Sequence, residues 1–264
     1  MKKKLLILFL VLIGNNVIHP SVMGSNTIAP QWSFQSAINL DELTLKLKEF
    51  AQLYQQRPIK DNIGGMRSIG QFWVWYMIKT IQPDLIIESG IWKGQSTWLL
   101  EQAAPNAKII SIDPNLHLRR YISPKVTYHQ KDFSKIDFGD ISSLTTCCFF
   151  DDHQDVFLRI MQAYEKGFTH LIFDDNNPRE IGGPESLELG WVNGKMEKIK
   201  HLVKCYQILP QLIGTIANFG GKDFEIQSLN LLGNEPYLNI HKNDAELYRA
   251  TTYIRLHQTE LITS

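Results

Sequence analysis

The chain has 264 residues, of which 44% are hydrophobic and 20% are charged. This length suits one large α/β domain with a covered core better than two domains, and the composition is that of an ordinary globular protein. Lysine plus arginine and aspartate plus glutamate balance at 27 each, so no nucleic-acid partner is indicated.

The N-terminus has the layout of a secretory signal. The basic residues Lys2–Lys4 precede the apolar run Leu5–Ile13, and small residues before Ser25 offer a cleavage site. Residues 1–24 are therefore predicted to be a signal peptide, which places the protein in the secretory pathway or outside the cell. The alternatives are an uncleaved anchor, with membrane association through residues 5–18, and a cytoplasmic protein with an apolar start.

The three cysteines do not form a disulfide framework. Cys147 and Cys148 are adjacent in an apparent strand, so their side chains should point to opposite faces of the sheet. Only one of them could pair with Cys205, and we expect buried thiols instead.

Two helices are predicted ahead of the first strand, within an N-terminal helical extension over residues 25–82. One begins at Asp41 and runs to about Gln56, and a very apolar one spans Phe72 to Ile81. We expect the aromatic residues of the second helix to cover the sheet rather than stack on a ligand.

From Asp84 onward, strands and helices alternate. This order predicts a Rossmann-like, doubly wound α/β domain over residues 83–264, with a mostly parallel seven-stranded sheet. The predicted strands are 84–88, 108–112, 125–129, 145–150 and 169–173, and the predicted helices are 96–103, 154–166 and 195–208. Two strand-like runs, 224–231 and 248–256, are expected to close the sheet as an antiparallel pair.

Acidic residues crowd the carboxyl ends of the predicted strands, where open parallel sheets bind their ligands. They are Glu88, Asp113, Asp132, the run Asp151-Asp152-His153 and the run Asp174-Asp175-Asn176. Desolvating so many carboxylates on one rim is costly unless a ligand accepts them. Ligand binding is therefore favoured over the alternative, which is that these residues cap the following helices.

The loop after the first strand indicates a nucleoside-containing cofactor. Gly90 and Gly94 lead through Ser96 into an open helix N-terminus, and Asp113 ends the next strand, where a carboxylate can hold a ribose. The spacing fits neither the dinucleotide fingerprint nor the phosphate-binding P-loop, so a dehydrogenase is disfavoured.

The segment from Glu88 to Ser96 resembles the first motif, E/D-x-G-x-x-x-G-x-S, of class I S-adenosylmethionine-dependent methyltransferases. The resemblance implies S-adenosylmethionine as the cofactor. It places Glu88, Gly90, Gly94 and Ser96 around the methionine part, Asp113 on the ribose hydroxyls and Asp132 near the adenine.

A second, narrower resemblance is to cation-dependent O-methyltransferases of the catechol O-methyltransferase type, through residues 149–153 and 171–176. It implies Mg²⁺ or a similar divalent cation held by Asp152, Asp175 and Asn176, with Asp151 and Asp174 as alternatives one residue away. The metal would bind a substrate hydroxyl, lower its pKa and fix it for methyl transfer.

The catalytic base departs from that pattern. The relatives carry a lysine where this chain has Asp155, so the nearest titratable candidate is His153, which would act beside Asp152. The sequence thus predicts a metal-assisted O-methyltransferase acting on a hydroxyl of a small molecule or glycan. The alternative is a non-catalytic, secreted or membrane-associated protein that binds a ligand or carbohydrate on the same fold.

Overall fold

The computed structural model describes residues 40–176, 187, 190, 194–209, 212, 216–219, 222–225 and 250–258. The predicted signal segment, most of the loop from 176 to 194 and all but the first two residues of the run 224–231 lie outside these ranges. Within them, no helix has the length and apolar character needed to cross a membrane.

The elements are numbered here in chain order over the described residues. The α-helices are α1 Leu40–Gln55, α2 Ser68–Ile81, α3 Gln95–Ala103, α4 Val156–Glu165 and α5 Lys195–Ile199. The strands are β1 Leu85–Ser89, β2 Lys108–Ile112, β3 Val126–His129, β4 Thr146–Phe150, β5 His170–Asn176, β6 Val203–Ile208, β7 Ile216–Phe219, β8 Lys222–Glu225 and β9 Ala250–Leu256.

The main sheet has seven strands in the order β3-β2-β1-β4-β5-β9-β6. Neighbours from β3 to β5 pair in parallel, whereas β9 runs antiparallel to both β5 and β6. The predicted fold class, a mostly parallel seven-stranded α/β sheet, is therefore confirmed. Because β1, β2, β4 and β5 point the same way, their carboxyl ends form one edge of the molecule.

In the C-terminal half, the described residues differ from the sequence prediction in two segments. The helix predicted over 195–208 ends at Ile199, and after a single turn the chain enters β6, because pairing with β9 decides the conformation of these residues. Of the run 224–231, the two described residues belong to β8 and do not pair with β9. β8 pairs with β7 in a separate two-stranded sheet, and β9 inserts between β5 and β6.

The helices cover both faces of the sheet and bury two hydrophobic clusters. In the first cluster, α1, α2 and α3 pack on one face, and Phe72, Trp73 and Trp75 are at most 1% exposed. This confirms that the aromatic residues of α2 cover the sheet. In the second, α4 and α5 pack on the opposite face.

The adjacent cysteines of β4 serve the two clusters separately. Cys147 belongs to the first cluster and Cys148 to the second, as expected for neighbours in a strand whose side chains alternate. Both are fully buried, and burial raises the pKa of each thiol. Neither they nor Cys205 form a disulfide in the described part of the chain, so the expectation of buried thiols holds for the β4 pair.

Candidate active site

Hydrogen bonds join the carboxyl ends of three neighbouring strands. The N–H of Gly90 donates to the carbonyl of Ile112 at 2.9 Å, which ties the loop after β1 to β2. The N–H of Asp151 donates to the carbonyl of Ser89 at 2.8 Å, and the Ser89 hydroxyl donates to Asp152 Oδ2 at 2.6 Å. The predicted residues at these three strand ends therefore lie in one connected rim.

Both glycines of the β1–α3 loop are required by the packing of the rim itself. Gly90 has a φ of +95°, and a Cβ there would lie 2.1 Å from the carbonyl oxygen of Asp151. Gly94 has a φ of +90°, and its Cβ would lie 2.7 Å from the carbonyl oxygen of Tyr121. The loop lies so close to the backbone of Asp151 on one side and of Tyr121 on the other that neither glycine position tolerates a side chain. The role of the two glycines beside a methionine group stays a prediction.

Asp113 faces the turn that follows β1. Its Oδ2 accepts the N–H of Ile91 at 2.9 Å and, more weakly, that of Trp92 at 3.4 Å, while Oδ1 accepts the N–H of Asn115 at 2.7 Å. The side chain is half-buried, and a carboxylate has about four lone-pair positions. Acceptor capacity is therefore left for a hydroxyl of a ligand. Trp92, in the same turn, is 40% exposed and has a φ of +49°.

Glu88 lies beneath this loop and is fully buried. Its Oε2 accepts hydrogen bonds from the hydroxyls of Thr97 and Ser111, whereas Oε1 has no well-formed hydrogen bond within the described part of the chain. Burial raises the pKa of Glu88 to about 7, although the hydroxyls of Ser111, Ser96 and Thr97 act to lower it. Ser96, buried at the start of α3, thus lies beside Glu88, and its contact with the cofactor stays a prediction.

Arg159 of α4 is a rim residue that the sequence interpretation missed. Its Nη2 and Nη1 contact the two carboxylate oxygens of Asp132 at 2.6 and 3.2 Å, and its Nε contacts Asp152 Oδ2 at 2.9 Å. The arginine side chain is only 3% exposed. The helical spacing of the sequence could have indicated a buried arginine, because Arg159 shares the buried face of α4 with Ile160 and Ala163.

This arginine occupies the carboxylates of two predicted site residues. The hydrogen bonds from Arg159 lower the pKa of Asp132, whose Oδ1 also accepts the N–H of Ser134. Burial raises the pKa of Asp152, and the charge of Arg159 opposes that rise. The predicted contact of Asp132 with adenine, and the metal and catalytic roles of Asp152, stay predictions. Each carboxylate would have to fill its role while bound to a guanidinium.

The predicted metal ligands after β5 lie inside the strand rather than beyond it. The amide of Asn176 is 1% exposed; Nδ2 donates to the Thr252 hydroxyl at 2.8 Å, and Oδ1 accepts the N–H of Leu187 at 2.9 Å. Asp174 is buried, and the side chain of Asp175 lies outside the described residues. Among the side chains that are described, no group of three or more metal-binding residues comes together. The side chains of Asp152 and Asn176 are both engaged in hydrogen bonds within the protein, and their role as metal ligands stays a prediction.

Asp155, at the position of the relatives' lysine, and His153, the candidate base, have different surroundings. Asp155 is the N-cap of α4, and its carboxylate accepts the N–H groups of Phe157 at 2.9 Å and Leu158 at 3.1 Å. The position where relatives carry a lysine therefore serves helix capping in this chain. His153 is exposed and has a φ of +53°, a backbone conformation that is uncommon outside glycine.

Comparisons with known proteins give distant structural likenesses only. No protein-family model and no curated protein sequence matches the chain. A putative O-methyltransferase from Klebsiella pneumoniae is 14% identical, with 86% of this chain and 98% of that one covered and a TM-score of 0.45. The methyltransferase PaMTH1 of Podospora anserina, solved with SAH, is also 14% identical, with 81% and 88% covered and a TM-score of 0.45.

A third likeness is to CmcI. A structure of CmcI with Mg and SAM is 16% identical, with 71% of each chain covered and a TM-score of 0.41. The chain spans 59% and 63% of two other CmcI chains, one with SAH and one apo. Likenesses of this size do not assign an activity. By its own strand order and strand directions, the chain has the seven-stranded α/β fold of the class I S-adenosylmethionine-dependent methyltransferases.

Proposed function

We propose that the chain is an S-adenosylmethionine-dependent methyltransferase that methylates a hydroxyl group of a small molecule or glycan. The observation that carries the proposal is the placement of Asp113. Its half-buried carboxylate faces the glycine turn between β1 and α3, on the ligand-binding edge of the sheet. That arrangement suits a ribose held beside a helix N-terminus.

Different residues of the rim would bind different parts of the cofactor. Asp113 would accept the ribose hydroxyls. Oε1 of Glu88, which has no well-formed hydrogen bond to a described residue, would accept a hydrogen bond from the amino-acid part of the cofactor. When bound, the cofactor supplies an electrophilic methyl group. The proton of the acceptor hydroxyl has two candidate receivers on the rim, the exposed His153 and Asp152.

Calorimetric titration of the full chain with S-adenosylmethionine tests the cofactor assignment. We expect binding and a higher melting temperature for the unchanged protein, because a ligand that binds only the folded state stabilises it. Asp113→Asn should weaken binding by about tenfold or more, since a charge-assisted contact to the ribose is lost. Asp140→Asn is the matched control, because Asp140 contacts only its own turn among the described residues. No binding by the unchanged chain would overturn the proposal.

A metal-assisted form of the reaction is implied by the sequence resemblance alone and is tested separately. Asp152 already pairs with Arg159, so a divalent cation would have to compete with the guanidinium for this carboxylate. We therefore expect methyl transfer to persist in EDTA. A strict requirement for Mg²⁺ would instead support Asp152, Asp175 and Asn176 as ligands.

The location of the protein also remains a proposal. A signal peptide over residues 1–24 would deliver it to the secretory pathway, with a membrane-associated or cytoplasmic protein as the alternative. N-terminal sequencing of the protein recovered from separated cell fractions distinguishes them, because only cleavage removes Lys2–Lys4.

A further inference from the structure

A cavity of 320 Å³ opens at the amino edge of the sheet, opposite the candidate active site. Its lining comes from the starts of β4, β5 and β6 and the end of β9, and includes Thr145, Thr169, His170, Lys204, Arg255 and His257. A volume of this size lies in the range of small-molecule sites, about 300 to 1,000 Å³.

The charges of this cavity are of one sign. Lys204 and Arg255 are both exposed, and neither forms an ion pair in the described part of the chain. Among the described residues that line the cavity, none is an aspartate or a glutamate. The nearby carboxylate of Asp84 accepts a hydrogen bond from the backbone N–H of the lining residue Thr145 at 2.8 Å. By contrast, the buried Arg159 at the other edge has two carboxylate partners.

The strand pairing brings these cations together. Arg255 of β9 lies between His170 of β5 and Cys205 of β6 in the register. The ladder between β6 and β9 is irregular at Val203 and Cys205, and the extra residue at that irregularity is Lys204. Irregularities of this kind re-aim side chains and are frequent beside functional sites. Like charges on neighbouring strands are unfavourable unless a counter-charge binds between them.

His170 adds hydrogen-bonding capacity without charge. Its Nδ1 lies 2.7 Å from the hydroxyl of Tyr253, and burial, together with the charge of Arg255, lowers the pKa of His170 to about 4. At neutral pH the ring is therefore neutral. The hydroxyls of Thr145 and Thr169 provide further donors in the same lining.

We propose that this cavity binds the phosphate group of a small phosphorylated molecule, with Arg255 and Lys204 as its two charged contacts. The planar guanidinium of arginine can donate two parallel N–H groups to two phosphate oxygens, and lysine adds a point charge. The cavity is larger than one phosphate needs, so it leaves room for the organic part of the ligand. The site is separate from the methyltransferase edge and does not depend on the activity proposed there.

The test uses the full chain, with inorganic phosphate as the first probe and ribose 5-phosphate as the second. Calorimetry and thermal unfolding are run at constant ionic strength set with chloride, because exposed charges are screened by any salt. We expect both probes to bind and to raise the melting temperature. The double variant Lys204→Gln/Arg255→Gln should fold, bind phosphate at least about tenfold more weakly and lose the thermal shift.

The matched control is Lys125→Gln/Arg120→Gln, which removes the same two charges at exposed positions outside the cavity. It should respond to phosphate as the unchanged protein does. Equal phosphate affinity in the cavity variant, the control and the unchanged chain would overturn the proposal, as would a complete lack of phosphate binding by the unchanged chain.

Discussion

Two buried ionisable residues at the rim avoid the penalty of an isolated charge in different ways. Arg159 keeps its charge and is neutralised by Asp132 and Asp152, at contact distances of 2.6 and 2.9 Å. Glu88 has no cationic partner among its hydrogen bonds, so burial favours the protonated form instead. The same rim therefore holds a permanent ion network next to a carboxyl group that titrates near neutral pH.

Glu88 should make the stability of the fold depend on pH. Its folded pKa of about 7 lies above the ordinary value of 4.5, so its stabilising contribution is complete below pH 4.5 and is lost as the pH rises through 7. Glu88→Gln should remove this pH dependence, which changes the free energy of unfolding by on the order of 3 kcal/mol in total. Urea unfolding of both proteins from about pH 5 to pH 8 measures it.

The informative quantity is the difference in the free energy of unfolding between Glu88→Gln and the unchanged protein, since the other titrating groups contribute equally to both. Glu165→Gln, at the end of α4, is the control and should run parallel to the unchanged protein. A constant free-energy difference between Glu88→Gln and the unchanged protein across this pH range would contradict the expectation.

Part of the site could be predicted at this scale and part could not. Asp113 and Glu88 were recognisable because each ends an apolar run, and Glu88 also precedes a glycine loop; these signals are local in sequence. The partners of Arg159 were not recognisable. Asp132 and Asp152 come from different strand ends, and only the folded sheet brings them to one helix.

At the scale of elements, the loops after β1 and β4 support each other through a contact that only glycine permits. Gly90 combines a positive φ with a Cβ position 2.1 Å from the carbonyl oxygen of Asp151. Any side chain there must displace the backbone of the β4–α4 loop, which includes Asp152. The rim is thus built from two loops whose positions are not independent.

Gly90→Ala should therefore destabilise the protein by more than a positive φ alone explains. We expect a loss of about 3 kcal/mol or more, compared with about 1 to 2 kcal/mol for an ordinary left-handed residue. Gly139→Ala is the matched control, because Gly139 has a φ of +67° and nothing within 4 Å of its Cβ position. Denaturant unfolding compares them, and equal losses would show that the contact with Asp151 is unimportant.

The elements that the sequence predicts best are the buried strands, because each of them is a short apolar run. The five predicted strands from 84 to 173 coincide with β1 to β5 to within three residues at either end. β6 was missed because Met196, Ile199 and Val203 recur at helical spacing. What makes Val203–Ile208 a strand is pairing with β9, which comes from a distant part of the chain.

At the scale of the molecule, the N-terminal helices belong to the same core as the sheet. Phe50 of α1 is fully buried, and its ring centroid lies 5.5 Å from that of Phe72 and 5.7 Å from that of Trp75, both in α2. This aromatic group continues into the cluster that includes Ile86 and Phe149 of the sheet. We therefore expect α1 and α2 to unfold together with the sheet.

Phe50→Ala tests that expectation. It should lower the free energy of unfolding by about 3 to 5 kcal/mol, since it leaves a cavity in a packed core. Unfolding should remain a single transition when followed by circular dichroism and by tryptophan fluorescence. Leu45→Ala on the same helix is the control and should have little effect, because Leu45 is 66% exposed. An early transition confined to the helices would show that they form a separate unit.

The position of β9 has a consequence for the order of assembly during synthesis. Among the described strands, β6 pairs only with β9, yet it leaves the ribosome well before β9 does. Until then, β5 and β6 each present an unpaired edge that invites contact with other chains. The nascent chain should therefore rely on a chaperone, or on rapid completion of translation, more than its parallel half would require. A pause between the codons for β6 and β9 should increase aggregation more than one placed after β9.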